Sequence, residues 1–373
     1  MAEKFSLKDH LFNPQTVAQL GREYAAGVPG FDAARFEAKA LSGFDSRELM
    51  DRLDWMADCL EGQLAADFPT MADQLEAAMP APLDPELSDD DFGHFIHALP
   101  GILAVRHGLE DHRDRALDLL YAATQRFSME FYIRPFLNRW PDQTLARLKN
   151  WASDDNYHVR RLVSEGTRPR LPWAKAVTLE TAQRLPFLHM LHADPTRYVT
   201  RSVANHLNDI AKKEPDLVTQ VLSDWASEGR QNAKELAWLT RHALRTLIKN
   251  GHAGALALLG YRGDIMVAAQ LDLGADRFAI GEKIAVGCRL ECAQDLPVIV
   301  DYRIKFARPG GKVAEKVFKL KVAQITGGQP LNLSKNHMLK GDASTFTLHP
   351  GPHEIILQVN GNDVAQAAFD LSA

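Results

Sequence analysis

Apolar positions recur along this chain at two different periods. From residue 1 to about 262 they return every three or four residues, as in Leu117, Leu120 and Tyr121 or Val199, Val203 and Leu207, which predicts amphipathic helices. Start signals punctuate the pattern. Ser46-Arg-Glu-Leu, Asp89-Asp-Asp-Phe and Thr178-Leu-Glu-Thr each set a capping side chain ahead of a first turn with acidic residues. Asp194-Pro195 adds an N-cap followed by proline at the first helical position. Pro80-Ala-Pro-Leu-Asp-Pro reads as a linker between helical hairpins. From about residue 264 the period falls to 2. Ile284, Val286, Cys288, Leu290 and Cys292 alternate with polar or small residues. So do Val298, Val300, Tyr302, Ile304 and Phe306, then Phe318, Leu320 and Val322, then His353, Ile355, Leu357 and Val359. Arg308-Pro-Gly-Gly, Gly327-Gly-Gln-Pro, Pro350-Gly-Pro and Asn360-Gly-Asn supply the turns between them. Six to eight strands over about 110 residues predict an immunoglobulin-like sandwich.

The helical part repeats. Segments starting at Asp154, Asp194 and Lys234 align at a spacing of 40 residues, with Val159, Val199 and Leu239 coinciding, then Arg161, Arg201 and Arg241, then Val163, Val203 and Ala243. That period predicts HEAT-like helix pairs stacked as an α-solenoid. The fold class expected is therefore mainly α, a HEAT-like solenoid over 1–262 followed by an all-β sandwich over 264–373. At about 100° per residue, Arg161 and Glu165 lie opposite Val159, Leu162 and Val163. Stacking then lines Arg161, Arg201 and Arg241 along an open face. Two structural alternatives stay open: Asp–Arg ladders between repeats, and a plain i,i+4 pair of Arg161 with Glu165.

Composition bounds the function. The chain has 373 residues, 46% apolar and 24% charged, an ordinary globular balance that excludes disorder, collagen and a disulfide scaffold. No uncharged apolar run approaches the roughly 18 residues that span a membrane. The start, Met1-Ala-Glu-Lys-Phe, lacks the apolar core of a secretory signal. Cys59, Cys288 and Cys292 fit a reducing cytosol, so a cytoplasmic protein is expected. Cys288 and Cys292, on one face of one strand, read as core residues and not as metal ligands. The net charge of −5 hides an asymmetry. Residues 1–100 carry 7 Lys/Arg against 19 Asp/Glu, residues 101–262 carry 24 against 17, and the remainder 12 against 12. A basic middle in an acidic protein suggests a polyanion-binding face.

Two segments carry candidate chemistry. In Phe127-Ser-Met-Glu-Phe-Tyr-Ile-Arg-Pro-Phe136 a glutamate sits among aromatic residues, with Arg134 four residues on. A carboxylate in that setting needs a partner. Arg134 is one reading; a developing positive charge is the other. In Glu165-Gly-Thr-Arg-Pro-Arg-Leu-Pro-Trp173 a helix ends at Gly166 and the prolines force an extended loop. Arg168, Arg170 and Trp173 on that loop suit phosphate contacts and stacking. Asp209 follows late in the next repeat, so Glu130, Glu165 and Asp209 are expected to face one site.

These segments, with Val199-Thr-Arg-Ser-Val-Ala-Asn-His-Leu-Asn-Asp209 and Pro215 after it, resemble the AlkC branch of the AlkC/AlkD DNA glycosylases. The resemblance covers residues 1–262, and the sandwich occurs in a subset of that branch. It departs slightly at Met129 and Tyr132, where smaller residues are expected beside Glu130. The resemblance implies HEAT-like repeats around double-stranded DNA and excision of N3-alkylated bases, 3-methyladenine foremost, without a deep base-flipping pocket. It implies Glu130, Glu165, Asp209 and Trp173 in the active site. Arg134, Arg161, Arg168, Arg170, Arg201 and Arg241 are expected to bind DNA. A cationic base leaves as a neutral molecule, so carboxylates that steady an oxocarbenium-like sugar suffice, and no metal or cofactor is expected. A monomer is expected. The competing reading is a non-catalytic HEAT scaffold that binds DNA or a protein partner.

Overall fold

The computed structural model describes residues 5–341 and 346–373. The expectation placed on Met1 to Lys4 falls outside them. Helices come first: α1 Leu7–Leu11, α2 Pro14–Gly27, α3 Ala33–Ser42, α4 Leu49–Glu61, α5 Phe68–Ala77, α6 Leu99–Leu103, α7 Arg113–Thr124, α8 Ile133–Arg139, α9 Pro141–Trp151, α10 Tyr157–Gly166, α11 Thr181–Leu191, α12 Arg197–Ile210, α13 Pro215–Glu228, α14 Ala233–Ala243, α15 Arg245–Lys249 and α16 Ala253–Leu258. Strands follow: β1 Ala268–Asp272, β2 Arg277–Ala279, β3 Lys283–Glu291, β4 Leu296–Ala307, β5 Val313–Ile325, β6 Leu331–Met338, β7 Gly351–Val359 and β8 Asn362–Ser372. No helix of the described residues is long and apolar enough to cross a membrane. By internal packing the chain divides into two units. One holds Met1–Ile210 with Glu228–Ala243; the other holds Ala211–Ser227 with Leu244–Ala373.

In the first unit the repeat is visible as a layer. α10 packs between α7 and α12, and α12 packs between α10 and α14, with α9 and α11 behind α10. The apolar stripe of α10, Val159, Leu162 and Val163, is fully buried, as are Val199, Val203 and Leu207 of α12. Arg160 reaches Asp194 of the next repeat at 2.6 and 3.1 Å, and Arg197 pairs with Glu235 one repeat further on. The inter-repeat ladder is therefore real.

Helix starts depart from the sequence expectation for local reasons. Phe44 to Arg47 already closes a turn, so α4 begins after Glu48, boxed with Asp51. Asp90 has φ +64°, and Asp89 and Asp90 engage Arg201, so Asp89-Asp-Asp-Phe starts no helix. Asn138 takes the N–H and hydroxyl of Thr178, so α11 starts later with Glu180 and Gln183 as its capping box. Asp194 accepts from the N–H and hydroxyl of Thr196, which turns the chain before α12 begins at Arg197.

In the second unit β1-β3-β6 form one sheet and β2-β8-β7-β4-β5 the other. Pairing is antiparallel except β2 with β8. The expected inward residues of β3, β4 and β7 are buried, Cys288 and Cys292 included, and both cysteines are free thiols. Val322 is the exception, at 53% exposure. Val300 pairs with Lys321 and Asp301 with Lys319, so Leu320 is a bulge that reverses the alternation. Val322 turns outward and Ala323 and Ile325 turn in. Asn360 and Gly361, both at positive φ, make the tight turn expected between β7 and β8.

Two buried features of the first unit carry predictions. A Cβ on Gly101 of α6 would meet Cδ2 of Tyr132 at 2.1 Å and Sδ of Met129 at 2.8 Å. This bare position admits Met129 and Tyr132, two large residues close to Glu130 in sequence. Gly101→Ala is expected to lower stability by about 1–3 kcal/mol through overpacking, read from urea midpoints. His158 and His206 are both buried. Nδ1 of His206 donates to the Ser164 carbonyl at 3.0 Å, while Nε2 of each ring lacks a partner. Burial pushes His206 down to about 3 and His158 down to about 4. Both folded values lie below the usual 6.5, so the native state disfavours protonation. Stability is full above that value and is lost as pH falls towards 4, by about 1.4 kcal/mol per pH unit for each ring. Denaturant unfolding between pH 7 and 5 measures the slope, and His206→Asn is expected to make it shallower.

Candidate active site

Three carboxylates from successive repeats meet through two guanidinium groups. Glu130 sits in the turn before α8, Arg161 and Glu165 one helical turn apart on α10, Arg168 just past its end, and Asp209 near the end of α12. Thr167 closes α10 by donating its hydroxyl to the Val163 carbonyl at 2.7 Å. A Cβ on Gly166 would meet Cγ2 of Ile133 at 2.5 Å, so this glycine allows α10 to end against α8. That approach brings Glu130 beside Arg161.

The links run in alternation. Arg161 pairs with Glu130, donates to the Ser128 hydroxyl at 2.7 Å and lies 3.6 Å from Glu165. Arg168 pairs with Glu165 and reaches Oδ2 of Asp209 at 3.0 and 2.8 Å. Ser202 of α12 donates to Glu165 at 2.6 Å, and Ser128 donates to Glu130 at 2.8 Å. The side chains of Glu165 and Asp209 are 5% exposed and that of Glu130 16%. Burial opposes ionisation of Glu165, but Arg161, Arg168 and the Ser202 hydroxyl outweigh it and hold its carboxyl below the usual range. Burial likewise works against the Arg161 and Arg168 cations, and the neighbouring carboxylates overcome it. This directly bonded set joins three carboxylates to two guanidinium groups.

Other expected site residues are placed differently. Glu130 does not pair with Arg134, because the turn aims it at Arg161. Arg134 is fully buried, which corrects its assignment as a DNA contact. Its Nη1 donates to the carbonyls of Gly166 and Arg168 at 3.0 and 2.8 Å, and its Nε to that of Lys175. Burial, then Arg184 and Arg168, push it down to about 10, so it stays a cation. The open row of arginines is also corrected. The carboxylates draw Arg161 inward, and Arg201 is paired with Asp89 and with Asp90 at 3.1 Å. Arg241 on α14 and Arg170 on the loop are exposed. Trp173 is 70% exposed at φ +64°, on the loop that Arg168 opens.

Sequence reasoning missed Ser128, Ser202 and Tyr198. Tyr198 supports Arg161, whose guanidinium lies 4.9 Å from its ring centre. Phe92 packs edge-on against the same ring, and Tyr198 donates its N–H to the Ser88 carbonyl at 2.9 Å. The repeat carried a signal for Tyr198: His158, Tyr198 and Trp238 fall on one repeat position, beside the aligned apolar residues. Nothing comparable marks the serines.

Residues 267–373 match the domain family described as the C-terminal Ig-like domain of the uncharacterised protein YhaZ. The uncharacterised protein YhaZ of Bacillus subtilis (strain 168) is 31% identical over 360 residues, 94% of this chain and 95% of that protein. Among solved structures, the Pseudomonas fluorescens alkylpurine DNA glycosylase AlkC, bound to DNA containing an abasic site analog, superposes with a TM-score of 0.87 at 32% identity, covering 99% of this chain and 100% of that one. The likeness spans both the helical repeats and the sandwich, and the chain belongs to the AlkC branch of the AlkC/AlkD family, in the subset that carries a C-terminal immunoglobulin-like domain.

Proposed function

We propose that the protein is an alkylpurine DNA glycosylase, acting on cationic N3-alkylated bases with 3-methyladenine foremost. The observation that carries this reading is the linked set Glu130–Arg161–Glu165–Arg168–Asp209, with one carboxylate more than it has guanidinium groups. A purine alkylated at N3 is already positive. As its glycosidic bond breaks, the electron pair goes to the base, which departs neutral, and C1′ of the sugar becomes oxocarbenium-like. Water then adds at C1′ and gives up its proton, leaving an abasic site. Glu165, kept ionised by its arginines, serves as an electrostatic stabiliser and not as an acid. Glu130 and Asp209 flank it to orient the water, and Trp173 contacts the cationic sugar or base. The leaving group needs no protonation, so the reaction draws on no metal or cofactor. The base is not drawn into a deep pocket.

The partner in this reading is double-stranded DNA containing alkylated bases, bound by a cytoplasmic monomer. Arg170 and Arg241 supply phosphate contacts, while Arg161 and Arg168 hold the carboxylates. The sandwich, taken as residues 264–373 after a helical domain of 1–262, extends the binding surface through the segment Lys335 to Lys340.

Base release from methylated DNA, measured in single turnovers without added metal, tests the proposal. Glu165→Gln and Asp209→Asn are expected to slow excision by about 10²–10³-fold, the usual loss of one preorganised electrostatic contact. Affinity for DNA containing an abasic analog should stay near wild type. No release by the wild-type protein would leave only the scaffold reading. Arg241→Ala is expected to weaken binding equally for all sequences and to reduce the log–log salt slope by about 1. An unchanged slope would remove Arg241 from the phosphate contacts.

A further inference from the structure

Arg134 and Arg184 are buried cations that donate to main-chain carbonyls. They reach the loop between α10 and α11 from two different helices. From α8, Arg134 donates to the carbonyls of Gly166, Arg168 and Lys175. From α11, Arg184 donates to the carbonyl of Thr167 at 3.0 Å and that of Val177 at 3.3 Å. Asn138, one turn beyond Arg134, donates to the Ala176 carbonyl at 2.8 Å and accepts from Thr178. Both ends of the loop are therefore gripped through its main chain. Among the described residues Arg134 has no carboxylate partner, and its Nη2 has no hydrogen-bond partner at all.

Burying a guanidinium against carbonyl dipoles alone is costly, so the arrangement has to secure something. What it secures is the stretch 168–173. Arg168 must reach both Glu165 and Asp209. Trp173 is held at φ +64°, a conformation unfavourable for a bulky residue that persists only where surroundings fix it. The planar fork of arginine can bridge several carbonyls at once; the point charge of lysine cannot.

We propose that Arg134 and Arg184 are positioning residues that clamp this loop, so that Arg168 holds the carboxylates in register and Trp173 stands ready at the reacting sugar. Neither touches the DNA. The proposal rests on the glycosylase reading of the site, and its test separates the two. The variants are Arg134→Lys, Arg184→Lys and the pair, each keeping the positive charge and losing the fork. Hydrogen exchange of the amides of residues 168–178 in the free protein reads the clamp without any catalysis. Single-turnover excision and affinity for abasic-analog DNA read its consequence.

Faster exchange confined to the loop is expected in each single variant, with excision slowed by about 10²-fold, the scale of a small misplacement of reacting groups. Abasic-DNA affinity should change little. The double variant should be far less than additively impaired, because both residues act on one loop. Wild-type exchange and wild-type excision in folded variants would overturn the clamp, even if melting temperatures fell. If Arg134→Lys does not fold, Arg184→Lys carries the same comparison from the other end. If the wild-type protein releases no base, the glycosylase reading fails, and the exchange of residues 168–178 alone decides whether the clamp exists.

Discussion

The alternation of charges through Glu130, Arg161, Glu165, Arg168 and Asp209 is the constraint on which the helical unit's site depends. Each of these groups loses several kcal/mol of hydration on burial, offset by its charged neighbours with support from Ser128, Ser202 and Tyr198. Removing one member leaves an uncompensated buried charge, a loss of about 3–5 kcal/mol in comparable pairs. The geometry around the set follows from this need. Gly166 lets α10 end against Ile133, Ser164 and Ser202 let α10 and α12 approach, and the loop turns back so that Arg168 reaches Asp209. A cluster of three carboxylates is tolerable here because its own arginines hold it.

Part of the basic surplus of the middle of the chain is paired within the protein. Arg106 pairs with Asp58 at 2.6 Å, and Arg115 with Glu76 at 2.6 Å and Asp73 at 2.7 Å. Arg201 answers Asp89 and Asp90. The acidic first hundred residues and the basic stretch after them are thus partly each other's counterions. A charge count by segment cannot distinguish a surface offered to a polyanion from two segments that neutralise one another.

The period of the hydrophobic pattern made both architectures legible, because a stripe at 3.6 and an alternation at 2 are direct consequences of burying one face. The carboxylates were legible through motif resemblance, and Glu130 also through its aromatic surroundings. Side-chain destinations were not. Arg134 and Arg161 look alike in sequence, yet one ends among carbonyls and the other among carboxylates. That choice depends on the turn before α8 and on where the following loop passes, both set by contacts more than 30 residues apart. The Leu320 bulge was illegible for a similar reason, since it exists only in the pairing with β4.

The grip of Asp89 and Asp90 on Arg201 changes what that arginine can offer a nucleic acid. It is not a vacant cation but one already paired, and an incoming phosphate must displace a carboxylate tethered in the same chain. Its net gain is the difference between two ion pairs of similar strength, with little release of bulk counterions. A tethered competitor of this kind discounts casual encounters with any backbone more than it discounts a well-registered one. If the protein binds DNA as proposed, the acidic segment between α5 and α6 in this way discounts indiscriminate contacts with the backbone.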